Sequence, residues 1–378
     1  MTAPRSVAET KQHETTHGVD WASVRADFPI LRREIDGAPL VYLDSGNTSQ
    51  KPRQVIDAMN EFQHSSYAPI NRSAYRLAGW ATDKFEGARS SVARLINAPS
   101  ADEVVFTKNA TESLNLVAAA WGDAHLRRGD VVVLTHLEHH ANIVPWHMLA
   151  ARRGIELRWV PLTADGQLDL SDLDNLLDGA KVLSFTAMSN VLGTITPVAA
   201  LCAAAHRAGA LAVVDACQFV PHNVTDVQAW DADFVAFSSH KMCGPSGIGA
   251  LWGKAELLDA TPPFLGGGNM IADVRLDGFT TAPVPALPPV AEPMTAPATA
   301  PTPAPPAVPR SRSLMLEQPV ASRAATARAE ISARPGRMGV AREIRVLFMC
   351  VPFSAFRAAW RRKRRRGSQC GGARRAGR

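Results

Sequence analysis

The sequence predicts an α/β fold: a mostly parallel sheet with helices on both faces. Three observations carry this. Short β-branched runs recur between about 103 and 237, helical apolar patterns separate them, and polar residues gather just past the apolar runs. Nearly continuous apolar strands belong to sheets buried on both sides, and such sheets bind ligands beyond the carboxyl ends of their strands.

The strands are expected at Glu103-Val-Val-Phe-Thr107, Val131-Val-Val-Leu-Thr135, Val182-Leu-Ser-Phe-Thr186, Leu211-Ala-Val-Val-Asp215 and Asp233-Phe-Val-Ala-Phe237. Between them, Leu114, Val117, Ala118 and Trp121 share one helical face, and Val198 to Ala208 reads as a second helix. Five strand ends then converge on one crevice: Thr107 to Thr111, His136 to Asn142, Ser189 and Asn190, Asp215 to Gln218, and Ser238 to Lys241.

Composition divides the chain. Of 378 residues, 310–378 hold 18 Lys or Arg against three Glu and no Asp, a net +15. The rest holds 23 basic and 32 acidic residues, a net −9, so the overall +6 sums two unlike pieces. Residues 282–309 contain 11 of the 27 prolines, a composition that forms no packed element. The expected organisation is therefore a disordered N-terminus over 1–20, a large domain over 21–285 and an irregular tail over 286–378. An amphipathic stretch lies near 341–360. The polar N-terminus lacks a signal-type apolar run, and no run approaches the ~20 apolar residues of a membrane span. Five cysteines without metal-type spacing suit a reducing cytoplasm, and no metal site is expected.

The chemistry centres on Ser238-Ser-His-Lys241, which follows a strand and precedes a glycine-rich turn, Gly244 to Gly249. A lysine at a buried strand end is costly to keep charged, and its neutral amine is a nucleophile toward an aldehyde. That is the chemistry of a pyridoxal phosphate Schiff base. Asp215, ending its strand, can face a pyridine nitrogen and keep it protonated, and Gln218 can bond a phenolic oxygen. Asn109 to Glu112 reads as a capping box whose free N–H groups, with the Thr111 hydroxyl, form a phosphate cradle. Each piece alone is ordinary: a surface lysine, a capping aspartate, a good helix start.

Seven segments in order make the combination specific. They are Tyr42-Leu-Asp-Ser45 with Ser49-Gln-Lys-Pro52, Phe106 to Glu112, Glu138-His-His-Ala-Asn142 with Pro145-Trp146, Ser189 to Gly193, Asp215-Ala-Cys-Gln218, Ser238 to Met242, and Pro262 to Gly268. Over roughly 21–285 the chain resembles the SUF-type cysteine desulfurases of the class V aminotransferase superfamily, pyridoxal phosphate enzymes of fold type I. The resemblance implies that Lys241 carries the cofactor and moves protons, Asp215 partners the pyridine nitrogen, Gln218 partners the phenolic oxygen, and His139 stacks on the ring. It assigns Ala110, Thr111, Ser238 and His240 to the phosphate, and Asn190 to the substrate carboxylate. It implies L-cysteine as substrate, a persulfide on an enzyme cysteine with release of alanine, a SUF-type sulfur acceptor, and a homodimer.

The resemblance fades after Pro285. The family's Arg-Phe-Glu-Ala-Gly-Thr-Pro segment, and the small domain with its persulfide-forming cysteine and carboxylate-binding arginine, have no counterpart here. Cys350 and Cys370 lack the motif's context. A frameshift near 286 accounts for the abrupt change, and translating the coding DNA in its other frames tests it. The chain is thus expected to hold the cofactor yet turn over cysteine poorly. Two other readings are weighed: a class V relative such as a selenocysteine lyase or epimerase, and a non-catalytic remnant or nucleic-acid binder gripping phosphates through Arg361 to Arg366. That basic run has no interleaved aromatic platform, so no specific nucleic-acid partner is expected.

Overall fold

The computed structural model describes residues 20–70, 73–267 and 271–281. The expected N-terminal disorder up to residue 19, the tail over 286–378, the amphipathic stretch, Cys350, Cys370 and Gly268 lie outside the described residues.

Seven strands form the central sheet: β1 (Val104–Thr107), β2 (Val131–Thr135), β3 (Glu156–Val160), β4 (Ala180–Thr186), β5 (Leu211–Asp215), β6 (Phe234–Ser238) and β7 (Gly249–Gly253). Their spatial order is β1-β7-β6-β5-β4-β2-β3. β3, β2, β4, β5 and β6 are mutually parallel, whereas β7 runs antiparallel to both β6 and β1. The sheet is therefore mostly parallel, as the apolar runs predict.

The period of two sorts the strand residues into two cores. Val133, Leu183, Phe185, Val214, Val235 and Trp252 pack on one face with Ile96, Leu201, Cys202 and Ala205. These last residues come from the helices Arg76–Leu95 and Val198–Arg207 or their caps. Val132, Leu134, Val182, Val213, Phe234 and Leu251 pack on the other face with Leu114, Val117, Ala118, Trp121, Trp146 and Leu149. Their helices are Ala110–Leu116, continued through a π-helical segment, Val117–Gly122, and Val144–Arg153. The stripe Leu114, Val117, Ala118 and Trp121 is buried as its spacing requires.

Two strands are absent from the sequence expectation. β3 is an edge strand that carries an exposed Glu156 and a half-buried Arg158, so it lacks the β-branched run of a central strand. β7 is Gly-Ala-Leu-Trp-Gly, and glycines lower strand propensity. Gly249 is required by close approach: a Cβ there would lie 2.6 Å from Asn109 Cα and 2.7 Å from the Phe237 carbonyl oxygen. Both obstacles are backbone. Gly249→Ala is expected to destabilise the fold by about 2–3 kcal/mol, read as a lower urea midpoint, because the helix start at Asn109 must lift off the sheet.

The polar strand ends share one edge. Thr186 pairs with Asp215, Asp215 with Ala236, and Ser238 with Gly249, which also pairs with Thr107. Among the described residues no helix is long and apolar enough to cross a membrane.

Candidate active site

A cleft of about 250 Å³ opens at this edge. Ala110, Thr111, His139, Asn190, Asp215, Gln218, Ser238, His240 and Lys241 all line it, together with Asn47, Thr186, Met188 and Cys217. Residues from Ala110 to Lys241 meet because they follow the ends of five strands of one sheet.

At one end lies the start of the helix Ala110–Leu116. Asn109 caps it, its Oδ1 accepting from the Glu112 N–H at 2.9 Å. Glu112 reaches back to the Lys108 N–H, one residue before the cap, so the capping box closes one position early. Ala110 N–H donates to Ser238 Oγ at 2.8 Å, which ties the helix start to the end of β6. Thr111 lines the cleft, and its hydroxyl makes no hydrogen bond among the described residues. An anion is favoured here by the helix terminus and by that free hydroxyl.

At the other end is Asp215, 4 % exposed. Its Oδ1 accepts from the Cys217 N–H at 3.0 Å, and Oδ2 takes no hydrogen bond or ion pair from the described residues. Burial pushes its carboxyl above the usual carboxylate range, while Cys217 N–H, His139 and Lys241 pull it down. A buried carboxylate with one free oxygen toward a cleft fits a cationic N–H of a ligand, as a pyridinium supplies. Lys241 closes a 3₁₀ turn, Ser239–Lys241, after β6. It is half-buried rather than buried, since it sits beyond the strand end, and its amine has no ion pair or hydrogen bond among the described residues.

His139 Nδ1 accepts from the Ala141 N–H at 3.1 Å, which leaves the ring proton on Nε2. Burial lowers its pKa, as it does that of His240, which also lines the cleft. A neutral imidazole suits stacking on an aromatic ring. Gln218 Nε2 donates to the Gly46 carbonyl at 2.6 Å, leaving one amide N–H for a ligand oxygen. Asn190 is exposed at the mouth, on a turn whose Ser189 Oγ accepts the Val191 and Leu192 N–H groups. No group of side chains with metal-ligand geometry occurs among the described residues. The residues present fit pyridoxal phosphate: an anion corner, an unpaired buried acid and a free amine around a ring-sized cleft.

Sequence reasoning gave Glu138 no role, although it stands inside the Glu-His-His segment. It is buried, and three donors converge on it: Thr135 Oγ1 at 2.6 Å, Asn142 Nδ2 at 2.7 Å and Thr186 N–H at 2.8 Å. Asn142 Oδ1 in turn accepts from Ser184 Oγ at 2.6 Å. The network ties the His139 turn to the end of β4. Burial outweighs the three donors, and with nearby Asp215 it pushes Glu138 up to about 8. Its folded pKa thus lies above the unfolded value, so its contribution to stability is full below about 4.5 and is lost as pH rises to about 8. The urea midpoint should fall across that window, and the fall attributable to this group should vanish in Glu138→Gln.

Comparison with known proteins places these features. Residues 41–287 match the family model described as aminotransferase class-V. A probable cysteine desulfurase of Streptomyces coelicolor is 53% identical over 284 residues, covering 72% of this chain and 68% of that protein. A cysteine desulfurase of Enterobacter is 52% identical over 68% of this chain and 64% of that protein. Among solved structures, the cysteine desulfurase CsdA of Escherichia coli superposes with TM-score 0.64 at 42% identity, covering 70% of this chain and 65% of that one. An apo cysteine desulfurase of Thermococcus onnurineus gives TM-score 0.66 at 40% identity, over 70% and 64% of the two chains. The match spans about two thirds of the length of these relatives. The chain belongs to the class-V aminotransferases, on the branch of the cysteine desulfurases.

Proposed function

We propose that this chain binds pyridoxal phosphate through Lys241 and carries the cofactor-binding half of a cysteine desulfurase acting on L-cysteine. The observation that carries the proposal is the free Lys241 amine in the same cleft as the unpaired Asp215 oxygen and the Thr111 anion corner. When bound, the cofactor supplies an electron sink for the pair left at the substrate Cα.

The chain's own residues have distinct tasks. Lys241 Nζ would be the attachment point and would also serve as the base for the substrate Cα proton. The Asp215 carboxylate would hold a proton on the pyridine nitrogen. Thr111, Ala110, Ser238 and His240 would hold the phosphate, His139 would cover the ring face, Gln218 would bond the phenolic oxygen, and Asn190 would meet the substrate carboxylate.

Sulfur transfer needs a thiolate. Cys217 is the thiol in the cleft, and burial beside Asp215 pushes it up to about 11. Such a thiol is ionised to about one part in 10⁴ at pH 7. Burial pushes Cys202 up to about 12, and Cys243 is raised as well. No described cysteine is poised to attack sulfur, so the proposal includes slow turnover. Incubation with pyridoxal phosphate and L-cysteine should give a bound cofactor but only traces of alanine and sulfide. Rapid release of both would overturn the slow-turnover part, and a stronger response to another amino acid in a substrate panel would overturn the choice of cysteine.

The proposal extends to a cytoplasmic homodimer with a SUF-type sulfur acceptor. Val191, Leu192 and Ile195 are exposed beside Asn190, as a partner-facing surface would have them. Sedimentation of the full chain at a monomer mass would contradict the dimer.

A further inference from the structure

The segment Ser45–Lys51 has no regular secondary structure, and Ser49 is its buried residue. The segment's hydrogen bonds to the body of the domain go to two places, both beside the cleft. Gly46 accepts from Gln218, and Thr48 and Ser49 grip the turn that carries Lys241. The His240 carbonyl accepts three bonds: from Ser49 N–H at 2.8 Å, Ser49 Oγ at 3.0 Å and Thr48 Oγ1 at 3.1 Å. The Ser49 hydroxyl also accepts from the Cys243 N–H at 2.6 Å.

One hydroxyl therefore bridges residues 240 and 243, the two flanks of Lys241. Cys243 adopts a left-handed conformation, with φ +64°. For a side chain other than glycine this conformation is unfavourable, so the turn needs an external hold. The Lys241 side chain makes no hydrogen bond among the described residues that would orient it. Its direction is inherited from this backbone. We propose that Ser49 is the positioning residue for Lys241: it fixes the turn from both sides so that the amine meets the cofactor aldehyde. This rests on the cofactor reading above.

The test uses the full chain as wild type, Ser49→Ala and Ser49→Thr, each titrated with pyridoxal phosphate, then reduced with borohydride and mapped by peptide mass. Two buried hydrogen bonds of about 1 kcal/mol each correspond to a 10–30-fold weaker Kd in Ser49→Ala. The fraction of bound cofactor fixed to Lys241 should fall severalfold, and Ser49→Thr should recover part of it. A merely structural serine would lower the unfolding midpoint but leave that fraction unchanged, which would overturn the proposal. So would a Kd for Ser49→Ala within about two-fold of wild type. If wild type itself shows no link at Lys241, the cofactor reading fails and this inference with it; a normal wild type with a normal Ser49→Ala defeats this inference alone. Should Ser49→Ala not fold, Thr48→Val removes one bond from the same carbonyl. A roughly three- to ten-fold weaker Kd then supports the proposal, and an unchanged one overturns it.

Discussion

Lys241→Ala is expected to abolish covalent attachment of pyridoxal phosphate and to lower any turnover of amino acids by about 10³-fold or more, the usual scale for losing a proton-transferring group that is also the attachment point. The fold should not suffer. The Lys241 amine has no ion pair or hydrogen bond among the described residues, so its removal should change stability by no more than about 0.5 kcal/mol. The visible band of the linked cofactor, read beside the urea midpoint, separates the two effects. A variant that keeps the band, or that loses it only because it unfolds, would contradict the role assigned to this amine.

Asp215→Asn should move affinity and stability in opposite directions. With cofactor bound, the aspartate would face a pyridinium in a buried setting, and breaking such a pair costs about 3–5 kcal/mol, or roughly 10²–10⁴-fold in affinity or rate. Without cofactor, one oxygen of a 4 % exposed carboxylate has no hydrogen-bonding partner among the described residues, and burial already opposes its charge. The neutral amide removes that penalty, so the apo variant should unfold at higher urea than apo wild type at neutral pH. A variant less stable than wild type and equally able to bind cofactor would show that Asp215 is a structural strand cap.

The architecture was legible where local chemistry repeats. Val131 to Thr135 and Leu211 to Asp215 are continuous apolar runs because both faces of their strands are covered, and burial leaves that signature in sequence. The candidate site was legible because each of its groups follows a strand, and the strand ends are collinear with the motifs. What escaped are features made by pairing between distant parts. β7 begins on Gly249 because Asn109 and Phe237 leave no room for a Cβ there, a reason visible only once those residues are neighbours. β3 is marked by two charged residues, Glu156 and Arg158, which an edge strand accommodates. Glu138 draws its role from Thr186, 48 positions on, and Ser49 from His240, 191 positions on. Neither tie has a local period or spacing to announce it.

The departure after Pro285 bears on function more than on fold. Among the described residues, the sheet, both cores and the cleft are built from residues before 282, and every residue assigned to the cofactor lies there. The family match likewise ends at residue 287. Completing the reaction is another matter, because the described thiols are held in their protonated form by burial.

The most direct test of the account is to load the full chain with pyridoxal phosphate, reduce it with borohydride and locate the phosphopyridoxyl mass by peptide mapping. The account predicts a single labelled peptide, the one containing Lys241. Label on Lys51, which belongs to the neighbouring strap, or no label on any lysine, would contradict it.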